Sequence, residues 1–233
     1  MAESYGIIGD GKAARHLARY LSLAHVPFRR WSRRTARKTG ESPERALRGF
    51  RWALVLISDG AIEGFIRSHP SLCGGNFVHF SGALSTPLAA GLHPFAAFGE
   101  RALSLSEYER IHFVGEKGGP SFRHVFPRLK NPSSELAKEL KPYYHALCVL
   151  SGNFSTLLWR KLFRESEGRL GLPRAAAAQY LRNVSRNIED DHEGALSGPL
   201  SRGDRATIAA NMSALKGDPF REVYKAFARM GQR

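Results

Sequence analysis

The feature that most constrains this chain is the stretch SYGIIGDGKAARHLARYL at residues 4–21. Ser4–Ile8 is a short apolar run of strand length. Gly9-Asp10-Gly11 ends it, and Ala14, Leu17, Ala18 and Leu21 then recur at helical spacing. The order strand, glycine turn, helix is the opening of an α/β unit. The turn reads G-x-G-x-x-A, the dinucleotide pattern with alanine in its last place. Each residue type has a physical reason. Gly9 takes the backbone angles of a tight turn. Gly11 has no side chain to hold a diphosphate away from the helix N-terminus. Ala14 is small enough for the helix to lie close to the strand. The first-turn N–H groups that follow, around Lys12 and Ala13, face the phosphates. Asp10 carries a carboxylate into this turn and is expected to point away from an anion.

The next strand, Pro27–Trp31, is followed by Ser32, Arg33 and Arg34. An acid at that place would bind the ribose hydroxyls of NAD. Here a hydroxyl and two guanidiniums replace it, and arginine offers paired hydrogen bonds to a phosphate. The expected cofactor is therefore NADP, whose 2′-phosphate meets Ser32, Arg33 and Arg34. Trp52–Ile57 repeats the theme as a continuous apolar run, the mark of a strand buried on both faces. Ser58 and Asp59 stand at its end, where ligands of such sheets bind. NFVHFSGALS supplies another strand, ending at Ser81 and Gly82. GLHPFAAFG and RIHFVGE read as later, shorter strands, with His93 placed to reach a cleft or to pack.

A glycine- and proline-rich stretch, GEKGGPSFRHVFPRLKNP, marks a change of regime, and the domain boundary is read near Arg128. Residues 1–128 form a Rossmann-type, mostly parallel α/β domain, and residues 129–233 an all-α second domain. Ser133 or Ser134 is expected to cap a helix that begins ELAKEL and is interrupted or restarted at Pro142. YYHALCVLSGNFSTLLWRKLFRE is apolar nearly all round and should be buried on several sides. Lys141 and His145 are four apart and share a face if the turn runs through Pro142. Asn153 falls two turns further on the same side. A lysine or histidine there could give a proton to a carbonyl as a hydride arrives. Read as packing instead, Lys141 snorkels at a helix start and His145 is a satisfied core residue. Asp204 is expected to cap a helix that runs to Leu215.

Composition narrows the partners. The formal net charge is +14 over 233 residues, which favours an anionic ligand. Basic residues crowd Arg29–Arg51, and a nucleic-acid or polyanion surface there is the weaker alternative. Trp31 is its one aromatic suited to stacking. The two cysteines form neither a disulfide framework nor a zinc pattern. EDDHE at residues 189–193 lacks metal-ligand spacing, so no metal is expected. The apolar runs are far shorter than the roughly 20 residues of a membrane span, and the start does not read as an export signal. A cytoplasmic protein is expected.

Taken in order, GIIGDGKAARHLA, HFSGALS, LHPF, YYHALCVLSGN and ALSGPLSRGD resemble a bacterial two-domain family. Its members join a Rossmann-like half to a helical half known as domain of unknown function 2520. The family is similar to 6-phosphogluconate dehydrogenase, ketopantoate reductase, prephenate dehydrogenase and pyrroline-carboxylate reductase. The resemblance implies an NADP site at Gly9, Gly11, Ala14, Ser32, Arg33 and Arg34. It also implies a cleft lined by Lys141, His145, Asn153 and the Ser197–Asp204 loop, and a homodimer formed through the helical halves. The function expected is NADP(H)-dependent hydride transfer to or from a small carbonyl, hydroxy-acid or imine compound. Lys141, His145 and Asn153 would serve the reaction, and His93, Arg202 and Asp204 would bind substrate. A non-catalytic NADP-binding regulator is the alternative.

Overall fold

The structure is a computed structural model and describes residues 4–230. The chain divides into two compact units after Phe154. The first runs β1 (Tyr5–Ile8), α1 (Lys12–Leu23), β2 (Phe28–Trp31), α2 (Arg33–Thr39), α3 (Pro43–Ala46), β3 (Trp52–Val55), α4 (Asp59–Ser68), β4 (Phe77–His79), β5 (Ala90–Pro94), α5 (Leu105–Glu109), β6 (Phe113–Glu116), α6 (Phe122–Val125), β7 (Ser133–Leu136) and α7 (Lys141–Cys148). A π-helical turn, Val149–Phe154, follows α7. The seven strands form one sheet in the order β2-β1-β3-β4-β5-β6-β7. All neighbours are parallel except β5 and β6. This is the Rossmann-type α/β architecture expected from the sequence.

The apolar runs alternate between two cores, one on each face of the sheet. Tyr5, Ile7, Trp52 and Leu54 point to the face covered by α1, with Leu17, Tyr20 and Leu21. Ile8, Ala53 and Val55 point to the other, with Trp31, Leu47, Ile62 and Ile66. Burial on both faces explains why these strands read as unbroken apolar runs. On the first face Tyr20 donates to Asn131 Oδ1 (2.6 Å), and the Asn131 amide donates to the carbonyls of Tyr108 (2.7 Å) and Ile111 (2.9 Å). That side chain ties α1 to the far end of the sheet.

Two expectations for the middle of the chain change. Ser133–Leu136 is a strand, not the start of a helix, because its backbone pairs in register with Phe113–Glu116. Its side chains are largely exposed, so it carries no apolar alternation to betray it. The helix begins instead at Lys141, and Pro142 sits in its first turn, where a missing N–H costs nothing. With β7 and α7 joined to the sheet, the compact units part after Phe154 rather than near Arg128.

The second unit contains α8 (Ser155–Glu167), α9 (Arg174–Asp190), α10 (Arg205–Ala214) and α11 (Phe220–Met230). Trp159 and Tyr180 meet edge to face, with centroids 5.7 Å apart. Lys161 on α8 pairs with Asp218 before α11 (2.5 Å), and Asn211 on α10 donates to the Tyr224 hydroxyl (3.0 Å). Asp204 caps α10 as expected, accepting from the Thr207 N–H (3.0 Å) and hydroxyl (2.7 Å). Gly217, at φ +82°, ends the region of α10. No helix among the described residues is long and apolar enough to cross a membrane.

Candidate functional site

Strand order reverses direction about β1, between β2 on one side and β3 on the other. At such a switch point the loops after the strands diverge and leave a crevice at the carboxyl ends. A cleft of about 990 Å³ opens there. It is bordered by Gly9–Ala13 after β1, Trp31–Arg34 after β2, Leu56–Asp59 after β3, and Phe80 and Ser81 after β4.

The two glycines of the first turn have different reasons. Gly9 has φ +132°, and a Cβ there would lie 2.2 Å from the Leu56 carbonyl oxygen. The fold itself therefore demands glycine at that position. Gly11 is the N-cap of α1, with ordinary extended angles (φ −70°, ψ 178°). No atom lies within 4 Å of the place its Cβ would take. Gly11 has no side chain to cap the α1 N-terminus, and among the described residues no other side chain does so, which leaves the first-turn N–H groups beside the cleft. Ala14 is fully buried against the core, which lets α1 lie close to β1. It does not itself border the cleft.

The arginines sort into paired and unpaired. Asp10 turns its carboxylate to β2 and α2, where Arg30 (2.8 Å) and Arg34 (2.5 Å) hold it. Arg34 is thus engaged by a protein carboxylate. Arg33 and Arg37 border the cleft and make no ion pair among the described residues. Arg37 was not foreseen; it stands one helical turn beyond Arg33 on α2, a spacing visible in the sequence. The Ser32 hydroxyl accepts from the Thr35 N–H (3.2 Å) and caps α2. Trp31, the residue suited to stacking a base, is buried in the core, and its indole donates to the Glu41 carbonyl (2.9 Å). Lys12 reaches Glu100 (3.2 Å) at the rim. Ser58 is the N-cap residue of α4.

Asp59 and Ser81 join the cleft to a second group of polar residues. The Ser81 hydroxyl donates to Asp59 Oδ2 (2.5 Å) and accepts from the N–H groups of Ala83 (3.2 Å) and Leu84 (2.9 Å). Gly82 does not border the cleft. A Cβ on it would lie 2.5 Å from His145 Nδ1 and 3.0 Å from His93 Nε2. Two imidazoles, not a cofactor, require glycine there.

These imidazoles are brought in by α7 and β5. Lys141, Tyr144, His145 and Cys148 share one face of α7 at the spacing i, i+3, i+4, i+7. His93 Nδ1 and the Tyr144 hydroxyl are 2.8 Å apart. Burial, helped by the charges of His145 and Lys141, pushes the His93 pKa down to about 4. Lys141 is buried at 4% exposure and donates to Glu116 Oε1 (2.5 Å) and to the Leu84 carbonyl. Glu116 went unnoticed in the sequence, although a carboxylate closing the apolar strand HFVGE is a signal of a buried partner. His79, fully buried, was missed as well. Ser81 N–H donates to its Nδ1 (3.3 Å), so the neutral ring carries its proton on Nε2, 3.9 Å from Glu116 Oε1. Burial also lowers the His79 pKa to about 4.

Asn153 falls in the π-helical turn and is exposed. The wider turn breaks the 3.6-residue phase that set it beside His145. The outer faces of α7 and of this turn are also exposed: Tyr143, Leu147, Leu150 and Phe154 stand in contact with solvent. Only the face with Lys141, Tyr144 and His145 packs onto the sheet, which is why burial on several sides does not occur. Arg202 and Asp204 belong to the second unit, where Asp204 is engaged as a helix cap. No group of three or more His, Cys, Asp or Glu among the described residues could hold a metal ion.

Comparison with known proteins agrees with the architecture. Residues 116–230 match the family model "domain of unknown function (DUF2520)". The structure is similar over 100% of its length to BF3122 from Bacteroides fragilis, a candidate NADP oxidoreductase, covering 99% of that chain at 17% identity and a TM-score of 0.81. It is similar to TM1727 from Thermotoga maritima, covering 98% of this chain and 96% of that one at 22% identity and a TM-score of 0.69. It is also similar to an imine reductase from Streptomyces aurantiacus, covering 97% and 94% of the two chains at 15% identity and a TM-score of 0.67. No curated protein matches the chain in sequence.

Proposed function

We propose that the chain, whose residues 116–230 match the family model of the domain of unknown function DUF2520, is an NADP(H)-dependent oxidoreductase acting on a small carbonyl, hydroxy-acid or imine compound. The observation that carries this reading is the cleft at the carboxyl ends of β1–β4, with an uncapped helix N-terminus on one side and unpaired arginines on the other.

The residues present fit the cofactor. Gly11 leaves the α1 N-terminus open to a diphosphate, since no protein atom approaches the place of a Cβ. The backbone of Asp10, Gly11, Lys12 and Ala13 would follow that diphosphate. Arg33 and Arg37 would take the 2′-phosphate, with Ser32 and Arg34 beside them. Among the described residues the charge of Arg33 and Arg37 is not paired, unlike that of Arg30 and Arg34. Ser58, Asp59 and Ser81 border the far end of the cleft, where the nicotinamide half would lie. The bound dinucleotide supplies or accepts hydride. Beyond Ser81 the side chains of His93, Lys141 and His145 supply hydrogen-bonding and proton-handling groups of the kind that carbonyl or imine chemistry needs. The solved relatives described as an NADP oxidoreductase and an imine reductase support the same class.

Asn153, Arg202 and Asp204 are proposed to contribute to substrate binding, on the family resemblance alone. The exposed face of Tyr143, Leu147, Leu150 and Phe154 is the surface through which we propose that the protein forms a homodimer, and sedimentation velocity tests it. A regulatory, non-catalytic role predicts the same cofactor binding without turnover. The deciding experiment is calorimetry with NADPH and NADH, followed by NADPH oxidation with a panel of small ketones and imines. Micromolar NADPH binding with weaker NADH binding supports the reading. No binding of either at millimolar concentration refutes it.

A further inference from the structure

We propose that His145, backed by His93 and Tyr144, is the group that handles the proton at the reacting bond, and that Lys141 is a positioning residue that fastens the Ser81–Leu84 turn. The inference rests on the oxidoreductase reading and decides between two residues that the sequence leaves equivalent.

Lys141 is already committed. Its ammonium is held between the Glu116 carboxylate and the Leu84 carbonyl, at 4% exposure. The pair fills the space above Gly91, where a Cβ would come within 2.6 Å of Glu116 Oε1 and 2.7 Å of Lys141 Nζ. To reach a substrate the lysine would have to leave a buried carboxylate uncompensated, which is strongly unfavourable. Its contact with Leu84 instead fixes the end of the turn whose other end, Ser81, borders the cleft and grips Asp59.

His145 is in the opposite condition. Its Nδ1 is buried and has no hydrogen-bond partner among the described residues. Buried polar atoms are nearly always satisfied. The other exception among the described residues, His79 Nε2, lies deep in the fold 3.9 Å from Glu116 Oε1, whereas His145 is a partly exposed residue close to the cleft. The ring presses on Gly82, one residue beyond cleft-lining Ser81. His93 shares that contact, stands edge-on to His145 with centroids 6.0 Å apart, and is itself oriented by the Tyr144 hydroxyl. Neighbours on β5 and α7 thus hold the His145 ring in place while leaving one nitrogen unused.

The step this arrangement serves balances simply. A hydride, which a bound dihydronicotinamide would supply and be oxidised in giving, adds to the carbon of a C=O or C=N bond, and the π electrons move to oxygen or nitrogen. That atom takes the proton from the His145 imidazolium, forming O–H or N–H. The imidazole is left neutral and regains its proton from water. The reverse direction uses the neutral imidazole as base.

The test uses the full chain labelled with ¹³C in its histidine rings and ¹⁵N in its lysine side chains. The ring signal of His145 is assigned with His145→Gln, or by elimination with His93→Gln if that variant misfolds. Two probes are compared: NADP⁺, and adenosine 2′,5′-bisphosphate, which carries the same phosphates but no nicotinamide. NADP⁺ is expected to move the His145 signal, adenosine 2′,5′-bisphosphate to leave it, and Lys141 to respond to neither. Lys141→Met should shift the backbone signals of Ser81–Leu84 and weaken the His145 response, and Lys141→Arg should restore it. In the ketone and imine panel, His145→Gln should lower turnover by about 10²–10⁴-fold with NADPH affinity unchanged. A His145 signal unmoved by saturating NADP⁺, or a Lys141 signal that moves in its place, overturns the assignment. If neither probe binds, the oxidoreductase reading itself falls and this inference with it.

Discussion

Gly9→Ala and Gly11→Ala separate the demands of the fold from those of the cofactor. At Gly9 the new methyl must accept φ +132° and a separation of 2.2 Å from the Leu56 carbonyl oxygen. The obstacle is backbone at the end of β3, which cannot swing aside. A non-glycine residue in that backbone region costs about 1–3 kcal/mol, and overpacking adds about 1–3 kcal/mol. The sum is about 2–6 kcal/mol, and each kcal/mol lowers the melting temperature of a chain this size by about 2–4 °C. Gly9→Ala should therefore melt about 5–20 °C below the parent. Gly11→Ala meets none of this. Its angles, φ −70° and ψ 178°, suit alanine, and no atom lies within 4 Å of the new methyl. Stability should stay within about 0.5 kcal/mol of the parent.

Binding should behave in the reverse sense at Gly11. The methyl stands where a diphosphate approaches the α1 N-terminus and removes or lengthens a hydrogen bond to a charged group. Such a bond is worth about 1.5–3 kcal/mol, so NADPH affinity should fall about 10- to 150-fold. Thermal melting followed by circular dichroism reads the first quantity and calorimetry the second. A Gly11→Ala protein that melts as low as Gly9→Ala would refute the reasoning about the turn. One that binds NADPH as tightly as the parent would refute the place given to the diphosphate.

Three further outcomes follow from other parts of the molecule. Arg33→Ala and Arg37→Ala should each weaken NADPH about 10-fold or more and leave NADH within about threefold, since a charge-assisted bond to the 2′-phosphate is what they lose; calorimetry with both cofactors reads the ratio. His79 and His93 titrate near 4 in the fold and near 6.5 in the open chain, so between those values the unfolded state binds more protons. Stability should be level above pH 6.5 and fall by about 3 kcal/mol per histidine as the pH drops towards 4, which urea denaturation across that range measures, with His93→Gln flattening the slope. Asn131→Ala leaves the Tyr20 hydroxyl and two backbone carbonyls without their partner and should cost about 2–4 kcal/mol in the same assay.

How far the sequence could be read follows from which forces leave local marks. β1 and β3 were legible because burial on two faces turns each into an unbroken apolar run. β2, an edge strand with Arg29 and Arg30 exposed, was placed instead by its distance from the glycine turn. Each of the three meets its turn and helix within a few residues. β7 was not, because its stabilisation comes from backbone pairing with β6 while its side chains face solvent. A ladder of that kind has no residue signature, and Ser133 and Ser134 resemble helix caps equally well. The same contrast runs through the site. Gly9, Gly11, Ser32 and Arg33 lie within one strand–turn–helix unit or its successor, so spacing alone could propose them.

Glu116 and Lys141 are a different case, since neither side chain has meaning without the other. Each is a charged residue that would be placed outside by any local rule, and they meet only because β6 enters the sheet antiparallel to β5 and α7 returns over its end. The sequence marked Lys141 as the odd polar residue of an apolar helix, and from that oddity proton donation and snorkelling were both open. The partner decides between them. A lysine whose charge is balanced inside the fold is held where it is, and the reactivity that a lone lysine would have is spent on holding the turn. The unsatisfied nitrogen of His145, one helical turn away, has no such partner. That missing bond, beside Gly82 and one residue from the cleft-lining Ser81, is what distinguishes His145 from Lys141 as the group free to meet a substrate.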